Sequence, residues 1–392
     1  MLPHLVSVRL CLRAAALSVP LVIVTGCAGG YRPGTMVPPV SADAIEHSLF
    51  LIGDAGDPRS PAEPVLMGLE ALASERASQS TIVFLGDNVY DQGMPPSDAP
   101  DRLEAERRMT MQMNAVPQGT RAYFVMGNHD WLRGREGGWE AVKRQAAFVG
   151  RAGRPDIRVS PPAGCPGPVV RDLSPRLRLV LLDTQWWLTS GDKPEDPTSA
   201  CDTDSRAEVT AALRSAVRVD EARHVVVVGH HPLRSGGVHG GRFDWQDHIF
   251  PLTAFKSWLW LPLPVIGSLY PIVRGSGVSA QDVPSGAYRE MRDSLAAAFA
   301  VSPPLAYAAG HEHNLQVLDG GSARYLLVTG AGRFYHTSKV FRLEETRYAR
   351  RAGGFMRLDV LTDGRVRLAV IVVDGEGRPT EDYSLWLVPE GG

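Results

Sequence analysis

Seven short runs along the chain are almost continuously apolar: Leu49–Gly53, Ile82–Gly86, Ala122–Gly127, Leu177–Leu182, Val225–Gly229, Leu305–Gly310 and Tyr325–Thr329. Such runs predict strands covered on both faces. Between them the apolar positions recur at helical spacing. Val65, Leu66, Leu69 and Leu72 form one stripe after Pro64, and Leu103–Met113, Trp139–Val149, Val209–Val217 and Tyr288–Phe299 form four more. Helices lying between strands predict βαβ crossovers and an α/β fold. The last part of the chain reads differently. Phe355–Leu361, Arg365–Asp374 and Tyr383–Val388 are rich in β-branched residues, and Asp363-Gly364 supplies a turn, so an antiparallel meander is expected there.

Five of the apolar runs end in the same way, with a glycine followed by a residue able to bind a metal. Gly53 leads to Asp54, Gly86 to Asp87, Gly127 to Asn128, Gly229 to His230, and Gly310 to His311. Tyr90 lies three residues after Asp87, His129 and Asp130 follow Asn128, and His313 lies two beyond His311. An aspartate at the end of a buried strand is a desolvated charge that needs a partner or a metal. In open α/β sheets, ligands gather at the carboxyl ends of the strands. Glycine at these turns is expected to take positive φ and let the backbone approach a bound ion.

Composition narrows the class. With 44% apolar and 21% charged residues and a net charge of −2, the chain has neither the basic excess of a nucleic-acid binder nor the polarity of a disordered one. The first 27 residues stand apart. Arg9 and Arg13 precede the apolar run Ala14–Val24, which ends in Val-Thr-Gly-Cys. A basic start, a short apolar run and small residues mark an export signal, and the run is too short to span a bilayer. Cys27 after small residues resembles a bacterial lipoprotein box. The expected organisation is a signal at 1–27, a Gly/Pro-rich tether at 28–42 and one domain over 43–392. An ordinary signal peptide, or a short anchor, with a coincidental cysteine is the alternative. In an exported chain Cys165 and Cys201 are expected to pair, two free thiols being the other possibility.

The blocks Gly53-Asp54-Ala55-Gly56, Gly86-Asp87-Asn88-Val89-Tyr90, Gly127-Asn128-His129-Asp130, Val228-Gly229-His230 and Gly310-His311-Glu312-His313 resemble, in order, those of calcineurin-like metallophosphoesterases. Within that group the chain is most similar to purple acid phosphatases of the small, tartrate-resistant type. Most of the wider group has Asp-x-His where this chain has Asp54-Ala55-Gly56, and the purple enzymes combine Asp-x-Gly with a tyrosine in the second block. The resemblance implies a four-layer α-β-β-α sandwich with C-terminal antiparallel strands. It implies two metal ions, Fe(III) and a divalent Fe, Zn or Mn ion. Asp54, Tyr90 and His313 would hold one, Asn128, His230 and His311 the other, and Asp87 would bridge. A phenolate favours a trivalent iron. From the residues alone either His230 or His231 could be the ligand, and the family pattern picks His230. Asp130 is expected behind the ligands as a partner of a histidine. His129 has family precedent as a proton donor or phosphate binder near the metals, and the tartrate-resistant type also carries a site histidine at the offset of His239, nine residues after His230; both are expected to be catalytic. Ala55 in place of a common Trp, and His231 in place of Tyr or Val, leave the substrate open.

The expected activity is hydrolysis of small phosphomonoesters. A phosphodiesterase or pyrophosphatase on the same site, and a metal-binding surface lipoprotein without turnover, are the alternatives. The expected location is a membrane, through the lipid on Cys27, facing the periplasm or cell surface. A last feature is the apolar stretch from Phe250 to Val273, with Phe255, Trp258, Trp260 and Tyr270. Pro262, Pro264 and Pro271 are expected to break any spanning helix there. The stretch either folds onto its own domain or forms a rim that meets a membrane interface or an amphiphilic phosphoester.

Overall fold

The structure, a computed structural model, describes residues 36–388 except 60, 196–198, 219–221 and 255–257. The signal segment, Cys27 and Phe255 therefore lie outside the described residues, as does most of the tether.

Two seven-stranded sheets form the centre. The first contains β1 (Ile45–Ile52), β2 (Ser80–Leu85), β3 (Arg121–Val125), β4 (Ile157–Val159), β12 (Gly354–Leu361), β13 (Val366–Val373) and β14 (Pro379–Val388), in the order β14-β13-β12-β1-β2-β3-β4. The second contains β5 (Val169–Ser174), β6 (Leu177–Leu181), β7 (His224–Val228), β8 (Ala306–Ala309), β9 (Leu315–Asp319), β10 (Tyr325–Thr329) and β11 (Thr346–Arg350), in the order β11-β9-β10-β8-β7-β6-β5. β1 to β4 run parallel, as do β6, β7, β8 and β10, while β12 to β14 form the expected antiparallel meander against β1. The helices are α1 (Pro64–Ser74), α2 (Arg102–Asn114), α3 (Gly138–Arg151), α4 (Gln185–Leu188), α5 (Arg206–Ala216), α6 (Trp245–Ile249), α7 (Leu269–Gly275) and α8 (Gly286–Phe299).

Strand periodicity of two sorts each strand's residues into layers. Leu49, Leu51, Val83, Leu85 and Val125 of the first sheet pack against Leu179, Leu181, Val226, Val228 and Leu327 of the second. The alternate residues Phe50, Ile52, Phe84 and Phe124 turn outward to Val65, Leu69 and Met109 on the helical side. On the far side Val180, Val225, Val227 and Tyr307 meet Val209, Leu213, Met291 and Leu295. The result is the four-layer α-β-β-α sandwich.

Two findings adjust the sequence reading. The stretch expected as a tether to residue 42 is held from Val37 onward. Arg367 is fully buried, and its Nε and Nη2 donate to the carbonyls of Pro38 and Val37 at 3.1 and 2.8 Å, beside its ion pair with Glu381. A buried guanidinium needs such acceptors, and this one takes them from the incoming chain. Pro271 does not stop local helix: it is the third residue of α7, inside the first turn, where its missing N–H costs nothing. No helix among the described residues is long and apolar enough to cross a membrane.

Candidate metal centre

The ligand-type residues lie on loops at the carboxyl ends of β1, β2, β3, β7 and β8, where the two sheets abut. Backbone bonds join the sheets at this seam. Gly53 N donates to Thr329 O at 2.8 Å, and Gly332 N to Gly53 O at 2.9 Å.

The glycines earn their positions through crowding. A Cβ on Gly127 would lie 2.3 Å from Asp87 Oδ1, one on Gly310 2.6 Å from Asp54 Oδ2, and one on Gly53 2.8 Å from the Gly310 Cα. Positive φ is mostly carried by the residue after the glycine. Asp54, Asp87 and His311 have φ of 60°, 55° and 69°, and among the five glycines only Gly86, at 91°, does so. The expectation that glycine supplies the left-handed turn is corrected accordingly. The ligand residues themselves hold the sparsely populated conformation, as functional residues over-determined by their surroundings do.

Two triads of donor atoms result. Tyr90 Oη lies 2.8 Å from Asp54 Oδ1 and 3.2 Å from His313 Nε2, which is itself 3.2 Å from Asp54 Oδ1. Asn128 Oδ1 lies 2.9 Å from His230 Nε2 and 3.0 Å from His311 Nδ1, and those two nitrogens are 3.2 Å apart. Asp87 stands between, with Oδ2 3.1 Å from Tyr90 Oη and Oδ1 3.5 Å from His230 Nε2. Asp54, Asp87, Asn128, Tyr90, His230 and His311 are buried, and His313 is partly exposed.

These residues fit a cation. His230 Nδ1 faces the Leu85 carbonyl at 2.8 Å, and His311 Nε2 faces the Gln281 carbonyl at 2.8 Å. Each ring therefore donates its N–H backward and turns a lone pair toward Asn128 Oδ1, itself an acceptor. With both rings neutral, three lone pairs converge with no proton among them; burial works against a charge on His230, but Asp87 and Asp54 outweigh it and raise its pKa, so the site favours positive charge at this point. Metal–ligand bonds of about 2.1 Å place neighbouring ligands roughly 3 Å apart, the spacing seen in both triads. Groups of His and Asp able to hold metal are present as Asp54–Asp87–His230 and His230–His231–His311.

His231 is set apart from its neighbour by its partners. Its Nδ1 meets Thr184 Oγ1 and its Nε2 Gln281 Oε1, both at 2.9 Å, so both nitrogens are engaged away from the triads. Burial, with the nearby His230, holds its pKa well below the usual value. Asp87 stays a carboxylate: burial opposes the charge, but His230 and His129 outweigh it and pull its pKa down. Tyr90 moves the other way, because burial and the carboxylates of Asp54 and Asp87 raise its phenol well above the ordinary range. Only an added positive charge would make it a phenolate.

Among the described residues Asp130 bonds to no histidine ring. Its oxygens accept from the backbone N–H groups of Asn88, Val89 and Gly127 at 2.8–3.2 Å and from Asn88 Nδ2 at 3.0 Å, tying the loop after β2 to that after β3. The turn at Gly127 presents Asp130 to those amides rather than to a ring. His129 donates its backbone N–H to Asp87 Oδ1 at 2.8 Å, and its Nδ1 faces the Asp91 carbonyl at 2.7 Å. His239 lies with its ring 4.0 Å from that of His311 and its Nδ1 2.9 Å from Asp282 Oδ1. Both histidines line a cavity of about 320 Å³ together with Asp87, Asn128, His311 and His313. Arg133, Arg274 and Gln281 line it as well, and the sequence singled out none of them. Glu312, inside a recognised block, is buried and accepts the His239 N–H at 2.6 Å, fixing the loop that carries that histidine. Cys165 and Cys201 form a disulfide.

The geometry is that of a metal-dependent hydrolase site for phosphoesters. A sequence model of the calcineurin-like phosphoesterase family matches residues 50–259, more than half of the chain, and the chain belongs to that family. His311 and His313 lie beyond the matched stretch, so their place rests on the structure. Among solved structures, "GAP50 the anchor in the inner membrane complex of Plasmodium" is similar in fold at 15% identity and a TM-score of 0.54, covering 88% of this chain and 90% of that one. A structure of PhoD aligns at 11% identity and a TM-score of 0.48, over 89% of this chain and 71% of that one. No curated protein matches.

Proposed function

We propose that this phosphoesterase is a dinuclear-metal phosphomonoesterase of the acid-phosphatase type. The observation that carries the reading is the pair of three-donor faces with Asp87 between them. Asp54, Tyr90 and His313 would hold Fe(III), and Asn128, His230 and His311 a divalent Fe, Zn or Mn ion. Two such ions supply charge stabilisation for the phosphoryl group and an activated water for in-line displacement. The chain's own part is to place protons and shape the cavity. The His129 Nδ1–H donates to the Asp91 carbonyl and the His239 Nδ1–H to Asp282, so each keeps Nε2 for the substrate side. A proton there can pass to the leaving alkoxide oxygen. Arg133 and Arg274 add positive charge to the wall that a phosphate would face.

The test is metal analysis of the purified protein alongside turnover of mono- and bis-esters. Two ions per chain and faster monoester hydrolysis are expected. Faster bis-ester hydrolysis would make it a diesterase, and full metal loading without turnover would make it a binding protein.

The same proposal places the enzyme at a membrane, exported and held by a lipid on Cys27. Support comes from the basic-apolar start and its terminal cysteine. It comes also from an exposed apolar face that includes Trp258, Trp260, Val265, Ile266 and Ile272. Tryptophan favours the bilayer interface. Protein lacking residues 1–27 should still bind liposomes, and W258A/W260A should bind less. Indifference of the truncated wild type to liposomes would remove the second contact.

A further inference from the structure

A second cleft backs onto the metal centre through the wall formed by Tyr90, His313 and His336. It encloses about 360 Å³, and its lining includes Asp57, Arg59, Glu63, Arg107, Arg333 and His336. The wall is thin. His313 borders the metal cavity, His336 borders this cleft, and their rings are 4.5 Å apart.

Arg333 is the unusual member. It is 6% exposed, and its guanidinium stacks over the Tyr90 ring at 4.1 Å. Nη1 reaches Asp57 Oδ2 at 3.3 Å. Nε and Nη2 are buried without a hydrogen-bond partner among the described residues. Leaving donors of a buried cation unmet is costly, so a built site that does so is shaped for something that arrives. Arg59 stands nearby with its guanidinium stacked over the Tyr335 ring at 3.8 Å and with no ion-pair partner among the described residues. The carboxylates in the cleft are largely committed. Glu63 accepts from the Phe334 and Arg59 backbone N–H groups at 2.7 and 3.3 Å, and Asp57 is paired with Arg108 at 2.7 Å. Planar guanidinium forks of this kind bind phosphate and carboxylate.

We propose that this cleft is an anion subsite, and that the substrate class is a phosphoester or phosphoanhydride carrying a second anionic group. One group would sit at the metals and the other, reached over the solvent-exposed His313–His336 rim of the wall, against Arg333 and Arg59. The inference rests on the phosphoesterase reading for its substrate but not for its binding, and the two can be tested apart.

Full-chain protein stripped of metal with chelator is titrated calorimetrically with pyrophosphate. The wild type should bind, and Arg59→Gln and Arg333→Gln should each weaken binding ~10-fold or more, the loss expected for one charge-assisted contact. With metal restored, Arg59→Gln should raise KM about as much for pyrophosphate and for phosphoglycolate, and change KM for p-nitrophenyl phosphate less than about twofold. An effect on pyrophosphate alone assigns the subsite to a phosphoryl group, and one on phosphoglycolate alone to a carboxylate. Stripped wild type that ignores pyrophosphate, or variants that bind it as well as wild type, would overturn the subsite. If Arg333→Gln does not fold, exposed Arg59 still decides it. Absence of turnover on every ester would sink the phosphoesterase reading while leaving the calorimetric answer intact.

Discussion

Asp282 Oδ1 lies 2.9 Å from His239 Nδ1, joining two residues 43 positions apart at the edge of the metal cavity. Asp282 is fully buried and is also clamped by Arg274, whose Nε and Nη2 reach its two oxygens at 2.6 Å each. The carboxylate thus fixes both the tautomer and the orientation of the ring. His239→Ala and His129→Ala should each lower kcat ~10²–10⁴-fold on alkyl phosphates, and less on phenyl phosphates, whose leaving group needs little protonation. Asp282→Asn should lower kcat ~10-fold or more by loosening the ring, with metal content unchanged. Equal losses on both ester types, or lost metal, would argue against proton transfer at these positions.

Tyr90 supplies a visible test. Without a cation its hydroxyl donates to Asp54 Oδ1, and burial with the two carboxylates keeps it protonated. Binding of Fe(III) should therefore release a proton, measurable in weakly buffered solution, and produce a phenolate-to-iron charge-transfer band. Tyr90→Phe should lack the band. Colourless wild type with stoichiometric iron would place the iron elsewhere.

Gly127 and Gly150 should respond to alanine in opposite directions. At Gly127 the new methyl would collide with Asp87 Oδ1 at 2.3 Å, so Gly127→Ala should lose metal and about 1–3 kcal/mol of stability. Gly150 lies within α3 and its methyl would meet nothing within 4 Å, so Gly150→Ala should stabilise by roughly 0.5–1 kcal/mol. Thermal melts and metal analysis of both variants make the comparison.

Five of the seven proposed ligands stand out in the sequence because each follows a glycine at the end of a buried strand, a local pattern, while Tyr90 and His313 lie further along their loops and were picked out by the family resemblance. The central strands were legible as continuous apolar runs and the five long helices through their periodicity. What escaped reading was short or long-range. β4 has three residues, β9 and β11 are interrupted by polar residues such as Gln316 and Arg347 instead of running apolar, and β5 is half-exposed. Arg274 and Asp282 reach His239 from an apolar, proline-broken stretch and the loop after it, and nothing local marks them. Asp130 was placed near the site correctly but given a ring as partner, because a sequence cannot show that a tight turn offers it amides instead. The glycines were read as the source of positive φ, whereas their lack of a side chain is what the crowded seam requires.

Acid should weaken the fold through His47. It is a buried residue of β1, 3.0 Å from Thr81 Oγ1 on β2, and burial together with Arg121 pushes its pKa down to about 4. Between that value and the unfolded ~6.5 the unfolded chain binds the extra proton, so stability falls as pH drops through this window. The contribution is about 3 kcal/mol, and His47→Gln should flatten the decline in urea midpoint between pH 7 and pH 4. An unchanged slope would assign the acid sensitivity to other groups.

The disulfide closes a loop of 36 residues. In the chain-entropy model that is worth on the order of 4 kcal/mol, so reduction or Cys201→Ser should lower the unfolding free energy by about that much. Both cysteines line a cleft that contains none of the proposed ligands, and the metal content should not follow. A variant as stable as wild type would show that the bridge adds little beyond the native contacts around it.

β1, which ends at the first ligand, has β2 on one side and β12 on the other, and Ser48 pairs with Asp359 more than 300 residues later, through the backbone register and a 2.7 Å side-chain bond. While a ribosome is still making the middle of the chain, Asp54, Asp87 and Asn128 already exist, but the strand beneath Asp54 has an open edge. Such edges recruit other strands. The order of synthesis therefore leaves four of the seven proposed metal-binding residues, Tyr90 included, on an unfinished sheet until nearly the whole chain has emerged. Any factor that shields that edge during synthesis or transport would act on the yield of the active centre without touching a single ligand.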